Sequence, residues 1–400
     1  MCTFLHQTGW FPAFELWHVG CTARKSMTPG HPTDAEISAL TLSFLRFGSD
    51  TRGPRAFKSL LDSAAGGVVS AGALAASLRI PESERPHRLA AARARASEAL
   101  DRAAKADLRL LSWYDADYPE LLRQMADPPI VLWWRGDPGS LSLPAVAIVG
   151  SRRATPGGVA VARKLARGVA EAGLVVVSGL ARGIDAAAHL GALDAAGRTI
   201  GVLGSGADVI YPPEHRSHVD RICTSGAVLS EFPPGTPPLA HHFPMRNRII
   251  SGLCKAVIVV EASHRSGSLI TARLALEQGR DVYAVPGSVS SGQYAGSHAL
   301  IKDGAPLVET VEDVLDALGM ARPAVSATAG AGRSSGMSRL EAVMAVGEPY
   351  TIDQLAARTG LATSALLAEL GGLEVAGRIG RAPGAGFVKV DKSAIGEGHG

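Results

Sequence analysis

Residues 241–253, HHFPMRNRIISGL, set Arg246 and Arg248 on either side of Asn247, with Phe243 three positions ahead of Arg246. Cations beside an aromatic ring suit an unpaired polynucleotide. They supply charge for its phosphates and a π-face for a base, and stacking of that kind contributes about 1–3 kcal/mol per base. The bland alternative buries Phe243 in the core and spends both arginines on surface ion pairs. Two cations with an intervening Asn, so near a strand end, favour the binding reading.

Other segments carry related groups. Gly150-Ser151-Arg152-Arg153 joins a backbone that permits close approach, a hydroxyl, and two guanidiniums able to fork onto phosphate oxygens. In SGLARGIDAAAH, residues 178–189, Ser178 and Gly179 leave a strand, Arg182 faces a ligand, and Gly183 precedes a helix. Asp185 is expected as N-cap of that helix, with His189 at i+4. That spacing would suit an acid–base pair, but a cap plus a buried hydrogen-bonding histidine is favoured. Ser266-Gly267-Ser268 opens another helix, where free amides and the macrodipole attract anions, and Thr271 lies one turn inside. Pro286-Gly287 ends a further run. Glu231 and Glu261 would have to meet to act as a hydrolytic pair, and nothing in their spacing shows that they do. They are expected to orient arginines, and no catalytic set emerges.

The Gly150 turn has neither GxGxxG nor GxxxxGK[ST], so support for NAD or ATP is lost and no cofactor is expected. Cys2, Cys21, Cys223 and Cys254 show no CxxC spacing, which points to unpaired thiols in a reducing compartment and to no zinc or other metal.

These groups need a scaffold that brings turns together. Six apolar runs supply it: AVAIVGSRR, LVVVSGLARGID, TIGVLGSG, AVLSEF, AVIVVEASHRSGS and DVYAVPGS. Most end in Gly or Ser and lead toward a helical pattern. Parallel strands buried on both faces read as such continuous runs, with helical crossovers and ligands at their carboxyl ends. The fold class is α/β, an extended Rossmann-like, doubly wound, mostly parallel sheet.

A chain of 400 residues exceeds one domain, and 46% apolar residues are too many for a disordered protein. Residues 1–26 are aromatic-rich and aperiodic, and are expected to be a non-native or disordered extension, with Met27 the true start. Residues 27–106 read as a helical module, 107–318 as the core, 319–337 as a flexible linker and 338–392 as a winged helix. In the helical module, LRFGSDTRGPRAFKSLLDSAAG outlines two short helices joined by a Gly turn, and HRLAAARARASEALDRAAKADLRLL a helix with a solvated basic face. Between Leu110 and Pro144, Trp113, Tyr118, Trp133 and Trp134 are expected in core and edge-strand packing. The third helix of the winged module has no Lys or Arg before Arg378, so sequence-specific duplex reading is not expected of it. Net charge is only +3, so nucleic-acid affinity must come from local clusters. No apolar stretch reaches the roughly 20 residues that span a bilayer, and no signal peptide is evident. The expected location is the cytoplasm, without a membrane partner.

The blocks AIVGSRRATPGG, VVSGLARGIDAAAH, GALDAAGRTIGVLGSGADVIYPPEH, LSEFPPGTPP, HFPMRNRIISGL, VIVVEASHRSGSLITARLALEQGRDVYAVPG and LIKDGA follow one another in order. Over about Leu110 to Leu318 the chain resembles the DNA-processing protein A (DprA/Smf) family of bacterial transformation and recombination factors. The resemblance implies a non-enzymatic protein that binds single-stranded DNA, usually as a homodimer. It also implies delivery of that strand to the RecA recombinase, while access by single-strand-binding protein and nucleases is limited. Carried onto this chain, the strand-binding positions are Gly150, Ser151, Arg152, Ser178, Gly179, Arg182, Phe243, Arg246, Asn247, Arg248 and Ser266 to Ser268. Met245 stands where the family often has a basic residue, and His298 where it often has Asn. The N-terminal turn also lacks the family's frequent Pro-Gly-Ile-Gly hairpin.

Two rival readings remain. One is a nucleotide-hydrolysing enzyme on a related core, whose PGGxGT-type loop PGSVSSG at 286–292 poorly replaces. The other is a winged-helix transcription regulator.

Overall fold

The Val/Ile runs become strands because helices cover them on both sides. In chain order the strands are β1 Arg109–Ser112, β2 Val131–Gly136, β3 Ala145–Val149, β4 Val175–Ser178, β5 Thr199–Val202, β6 Ala227–Ser230, β7 Ala256–Val259 and β8 Asp281–Ala284. The computed structural model describes residues 33–45, 52–63, 67–320, 339–345, 347–375, 377–382 and 386–389. The N-terminal extension, the Gly turn at 46–51 and linker residues 321–338 lie outside the described residues.

One eight-stranded sheet has the order β1-β2-β6-β5-β4-β3-β7-β8. The six strands from β3 to β8 pair in parallel. The aromatic stretch adds β1 and β2 antiparallel at one edge. From β3 the chain winds outward through β4, β5 and β6, then returns to place β7 on the other side of β3. Order therefore reverses beside β3, and the loops after β3 and β7 diverge there, leaving the crevice in which ligands of such sheets bind.

Alternate residues of β3 show why its run is wholly apolar. Ala145, Ala147 and Val149 join Ile249, Ile250 and Ala272 in one layer. Val146 and Ile148 join Leu165, Ala166 and Ala188 in the other. Trp133, Trp134 and Tyr118 are buried, as their aromatic segment suggests, while Trp113 is half-buried and packs edge-on against Phe57.

In the helical module, helices Asp34–Leu45, Arg52–Ser63, Ala71–Ser77 and Arg85–Lys105 enclose Leu40, Leu42, Phe57 and Leu74. The last of these buries Ala92, Ala96, Ala99 and Ala103 at helical spacing and leaves Arg88, Arg93 and Arg102 exposed.

At the other end, helices Arg339–Val343, Ile352–Thr359 and Thr363–Val375 pack on a three-stranded antiparallel sheet. Its strands are β9 Pro349–Tyr350, β10 Ile379–Ala382 and β11 Gly386–Lys389. Leu340, Leu355, Leu366, Leu370 and Phe387 form this winged-helix core. Helix Thr363–Val375 contains no cation and two glutamates, Glu369 and Glu374. Among the described residues, Cys223 and Cys254 are unpaired, no group of three His, Cys, Asp or Glu residues could hold a metal, and no helix is long and apolar enough to cross a membrane.

Candidate nucleic-acid interface

The loops at the carboxyl ends of β3 to β7 line a cavity of about 680 Å³. Among the described residues its wall holds four arginines, Arg152, Arg153, Arg246 and Arg265, and one carboxylate, Asp185. Two aromatic rings, Tyr211 and Phe243, and the turn Ser266-Gly267-Ser268 complete it. The local balance is strongly positive although the chain is nearly neutral, and that suits a polyanion.

Close backbone contacts fix the two Gly-containing turns. Ser151 N donates to Glu261 O at 2.7 Å, and Ile184 N donates to Ser151 O at 3.1 Å. A Cβ on Gly150 would lie 2.6 Å from Ile184 Cγ1. One on Gly183, where φ is +76°, would lie 2.3 Å from Ser151 O. Neither position accommodates a side chain without moving the other turn. The result holds Arg152 and Arg153 at the mouth, both exposed. The Arg152 guanidinium sits 5.0 Å from the centre of the half-buried Phe243 ring.

Arg246 is only 4% exposed, yet it belongs to the cavity wall. Its Nη1 donates to Gly179 O at 2.6 Å and also to Val202 O. A Cβ on Gly179 would lie 2.4 Å from Arg246 Nη1, so any side chain there would displace the guanidinium from the Gly179 and Val202 carbonyls. Burial draws the guanidinium down to about 10, Asp185 opposes the shift and Arg152 adds to it, so it remains cationic at neutral pH. Burial pushes the Asp185 carboxyl up, against Arg246 and the amides it accepts from.

Asp185 does not cap its own helix. The helix starts at Ile184 after Gly183, and the Asp185 carboxylate accepts from Gly179 N at 3.1 Å and Ala181 N at 3.4 Å. It secures the loop that carries the carbonyl held by Arg246.

Several other expected positions serve the scaffold. Arg248 is 2% exposed and outside the cavity wall. Its Nη2 reaches both Glu231 oxygens, at 2.6 and 2.7 Å, and its Nε lies 3.7 Å from Asp127. The cause is helical geometry: Arg246 and Arg248 lie on helix His242–Gly252, and residues two apart point about 200° away from each other around the axis. Glu231 thus holds an arginine, whereas Glu261 bonds a threonine. Glu261 accepts from Thr155 N at 3.0 Å and Thr155 Oγ1 at 2.6 Å, fixing the N-cap of helix Pro156–Glu171.

Ser178 is fully buried, with Oγ donating to Ile148 O at 2.7 Å. Arg182 is exposed, pairs with Glu214 at 2.5 Å and stands outside the wall. Gly287 lies under the Tyr294 ring, with His298 Nε2 3.1 Å from Gly287 O, also away from this cavity. Asn247 Nδ2 donates to Gly267 O at 3.4 Å, and the Ser266 and Ser268 hydroxyls are 2.7 Å apart. Those contacts tie helix His242–Gly252 to the start of helix Ser268–Glu277, whose Thr271 also faces the cavity. The cavity also holds Arg265 and Tyr211, which sequence reasoning passed over. Arg265 directly precedes the SGS turn, a signal available in the HRSGS string, whereas Tyr211 in VIYPPEH offers only its Pro neighbours.

His189 is fully buried, and its Nδ1 is 2.7 Å from Thr199 Oγ1. Because that hydroxyl donates to Val176 O at 2.7 Å, Nδ1 carries the proton and donates to Thr199. Burial, then the charges of His215, His218 and Arg246, lowers its pKa to about 3. The unfolded chain takes up this proton near pH 6.5 and the folded chain only near 3, so acidification between those values favours unfolding. His189 alone is expected to remove about 2 kcal/mol of stability between about pH 7 and 5. Urea unfolding at the two pH values, compared with His189→Gln, checks this. An unchanged pH dependence in the variant would refute it.

Fold and site together define a Rossmann-like protein with a cationic cavity at the carboxyl rim of its sheet and an appended winged helix. The family model for DNA recombination-mediator protein A matches residues 109–319, and that for the DprA winged helix domain matches residues 324–385. The chain is 50% identical over 201 residues to DNA processing protein DprA of Streptococcus pneumoniae, covering 50% of this chain and 71% of that protein. It is 40% identical over 284 residues to Protein Smf of Escherichia coli, covering 69% of this chain and 76% of that one. The X-ray structure of DprA from Streptococcus pneumoniae matches with a TM-score of 0.62 and 37% identity, over 70% of this chain and 97% of that chain. The chain belongs to the DNA recombination-mediator protein A family, and its role is in DNA processing and recombination.

Proposed function

We propose that the protein binds single-stranded DNA at the carboxyl rim of its sheet and acts there without catalysis. The observation that carries this reading is the Arg152 guanidinium over the Phe243 ring, at the mouth of a cavity with four arginines. Phosphates would meet Arg152, Arg153, Arg265 and the Ser266-Gly267-Ser268 turn, and a base would meet Phe243. Arg246 supplies buried positive charge behind them. In keeping with the family, the bound strand is delivered to RecA in the cytoplasm by a homodimer that limits access by single-strand-binding protein.

With about 3–5 phosphates engaged, log affinity should fall against log salt with a slope of about −2 to −3.5. Binding to equal-length single-stranded and duplex oligonucleotides across a salt series tests the reading. Equal affinity for both forms would overturn it. Phe243→Ala is expected to cost about 1–3 kcal/mol on oligo-dT, with the salt slope unchanged. RecA filament growth on strands coated with single-strand-binding protein, with and without this protein, tests the delivery step.

The carboxylates favour binding over hydrolysis. Glu231 and Glu261 are buried against Arg248 and Thr155, outside the cavity wall. Asp185, the one acid in the wall among the described residues, is occupied by two backbone amides. Nucleoside monophosphates incubated with the protein should release no base.

A further inference from the structure

We propose that Tyr211 forms a second base-stacking subsite, distinct from the one at Phe243, so that the mouth of the cavity holds two consecutive bases of an unpaired strand. The proposal rests on the single-stranded DNA reading and adds to it a residue with a separate signature.

Tyr211 is a large ring left 41% exposed at the cavity wall. Its backbone is anchored on both sides. Ile210 is buried with Leu180, Val219 and Ile222, and Pro212 and Pro213 lead into helix Arg216–Ser225. The phenol makes no hydrogen bond among the described residues, and beyond its tilted contact with Phe243 the ring leaves a large part of its surface to solvent. An exposed aromatic on a fixed backbone loses little conformational entropy when a flat partner stacks on it.

The two rings are close without blocking each other. Their centroids are 5.8 Å apart and their planes are tilted by 46°. That angle lets each present a face to a different base of a turning backbone. Access to them is unequal. Phe243 has Arg152 over its ring at 5.0 Å, and its edge lies against Gly204, where a Cβ would come within 3.0 Å. A base can use Phe243 only after the guanidinium swings aside toward a phosphate. Among the described residues no cation lies over the Tyr211 ring, and Tyr211 takes the first base. Any base has a π-face, so this subsite favours unpaired bases over paired ones without reading sequence.

The test compares oligo-dT with an abasic deoxyribose-phosphate strand of equal length, by fluorescence anisotropy with the full chain. Tyr211→Ala is expected to weaken oligo-dT binding by about 5- to 150-fold. Tyr211→Phe should retain wild-type affinity, and binding of the abasic strand should be the same for all three proteins. Tyr211→Leu keeps apolar packing on Phe243 but lacks the π-face, so it should lose oligo-dT affinity like Tyr211→Ala even if the alanine variant is poorly folded. If the Ala and Leu variants bind oligo-dT like wild type while Phe243→Ala does not, the second subsite is overturned and the strand-binding reading stands. Equal losses on both strands would also overturn it, because the contact would then be to the backbone or the fold. If the Tyr211, Phe243 and arginine variants all leave binding unchanged, the strand-binding reading itself falls.

Discussion

Arg248→Ala is expected to lower stability by about 3–5 kcal/mol and to leave the salt dependence of strand binding unaltered. The guanidinium is 2% exposed and its partner Glu231 is 9% exposed, so the truncation removes the Arg248 cation from a buried carboxylate. Loss of the charge-assisted bonds that offset desolvation of this buried carboxylate dominates the cost. In a core of this size each kcal/mol shifts the melting temperature by about 2–4 °C, so a drop of at least about 6 °C is expected. Replacing the pair together, as Arg248→Met with Glu231→Leu, should recover most of the loss, since neither charge then remains buried alone. Melting curves of the three proteins measure this, and a single variant as stable as wild type would remove the assignment. The same protein titrated with oligo-dT at several salt concentrations should keep the wild-type slope, because Arg248 faces Glu231 and Asp127 rather than the cavity.

The reverse pattern is expected at the exposed cations. Arg152→Ala, Arg153→Ala and Arg265→Ala together should reduce the salt slope by about 2 and weaken binding about 100-fold near 0.1 M salt, at about 0.7 log units per phosphate. All three side chains are exposed, so stability should change little. A slope unchanged in the triple variant would place the phosphates elsewhere. The two experiments separate arginines that hold the fold from arginines that hold a ligand, a distinction the string RNR conceals.

The double winding was legible because burial on both faces demands uninterrupted apolar runs, and the β3, β4 and β7 runs are such sequences. The Gly-containing turns after them were legible for a related reason: a chain leaving a buried strand beside another turn has no room for Cβ atoms, as Gly150 and Gly183 show. The winged module followed from its helical periodicity and terminal hairpin, and the missing cations in its third helix could be counted directly.

Side-chain direction was not legible in the same way. Arg246 and Arg248 are the same residue type two positions apart, yet one enters the cavity wall and the other the core. Only the winding of helix His242–Gly252 and the presence of Glu231, 17 positions away from Arg248, decide which is which. Ser178 and Arg182 lie in a Gly-rich turn with every mark of ligand contact. The Ile148 carbonyl takes one and Glu214 the other. Tyr211 and Arg265 carried little sequence signal, and the sheet brings them to the same mouth from the loops after β5 and β7. Sequence by itself determined the layers, the order of turns and the cationic character of the rim, because these depend on local periodicity and residue type. The tertiary structure alone decided which polar groups remain free for a ligand, because a distant partner can satisfy a charge and no local pattern records where that partner lies.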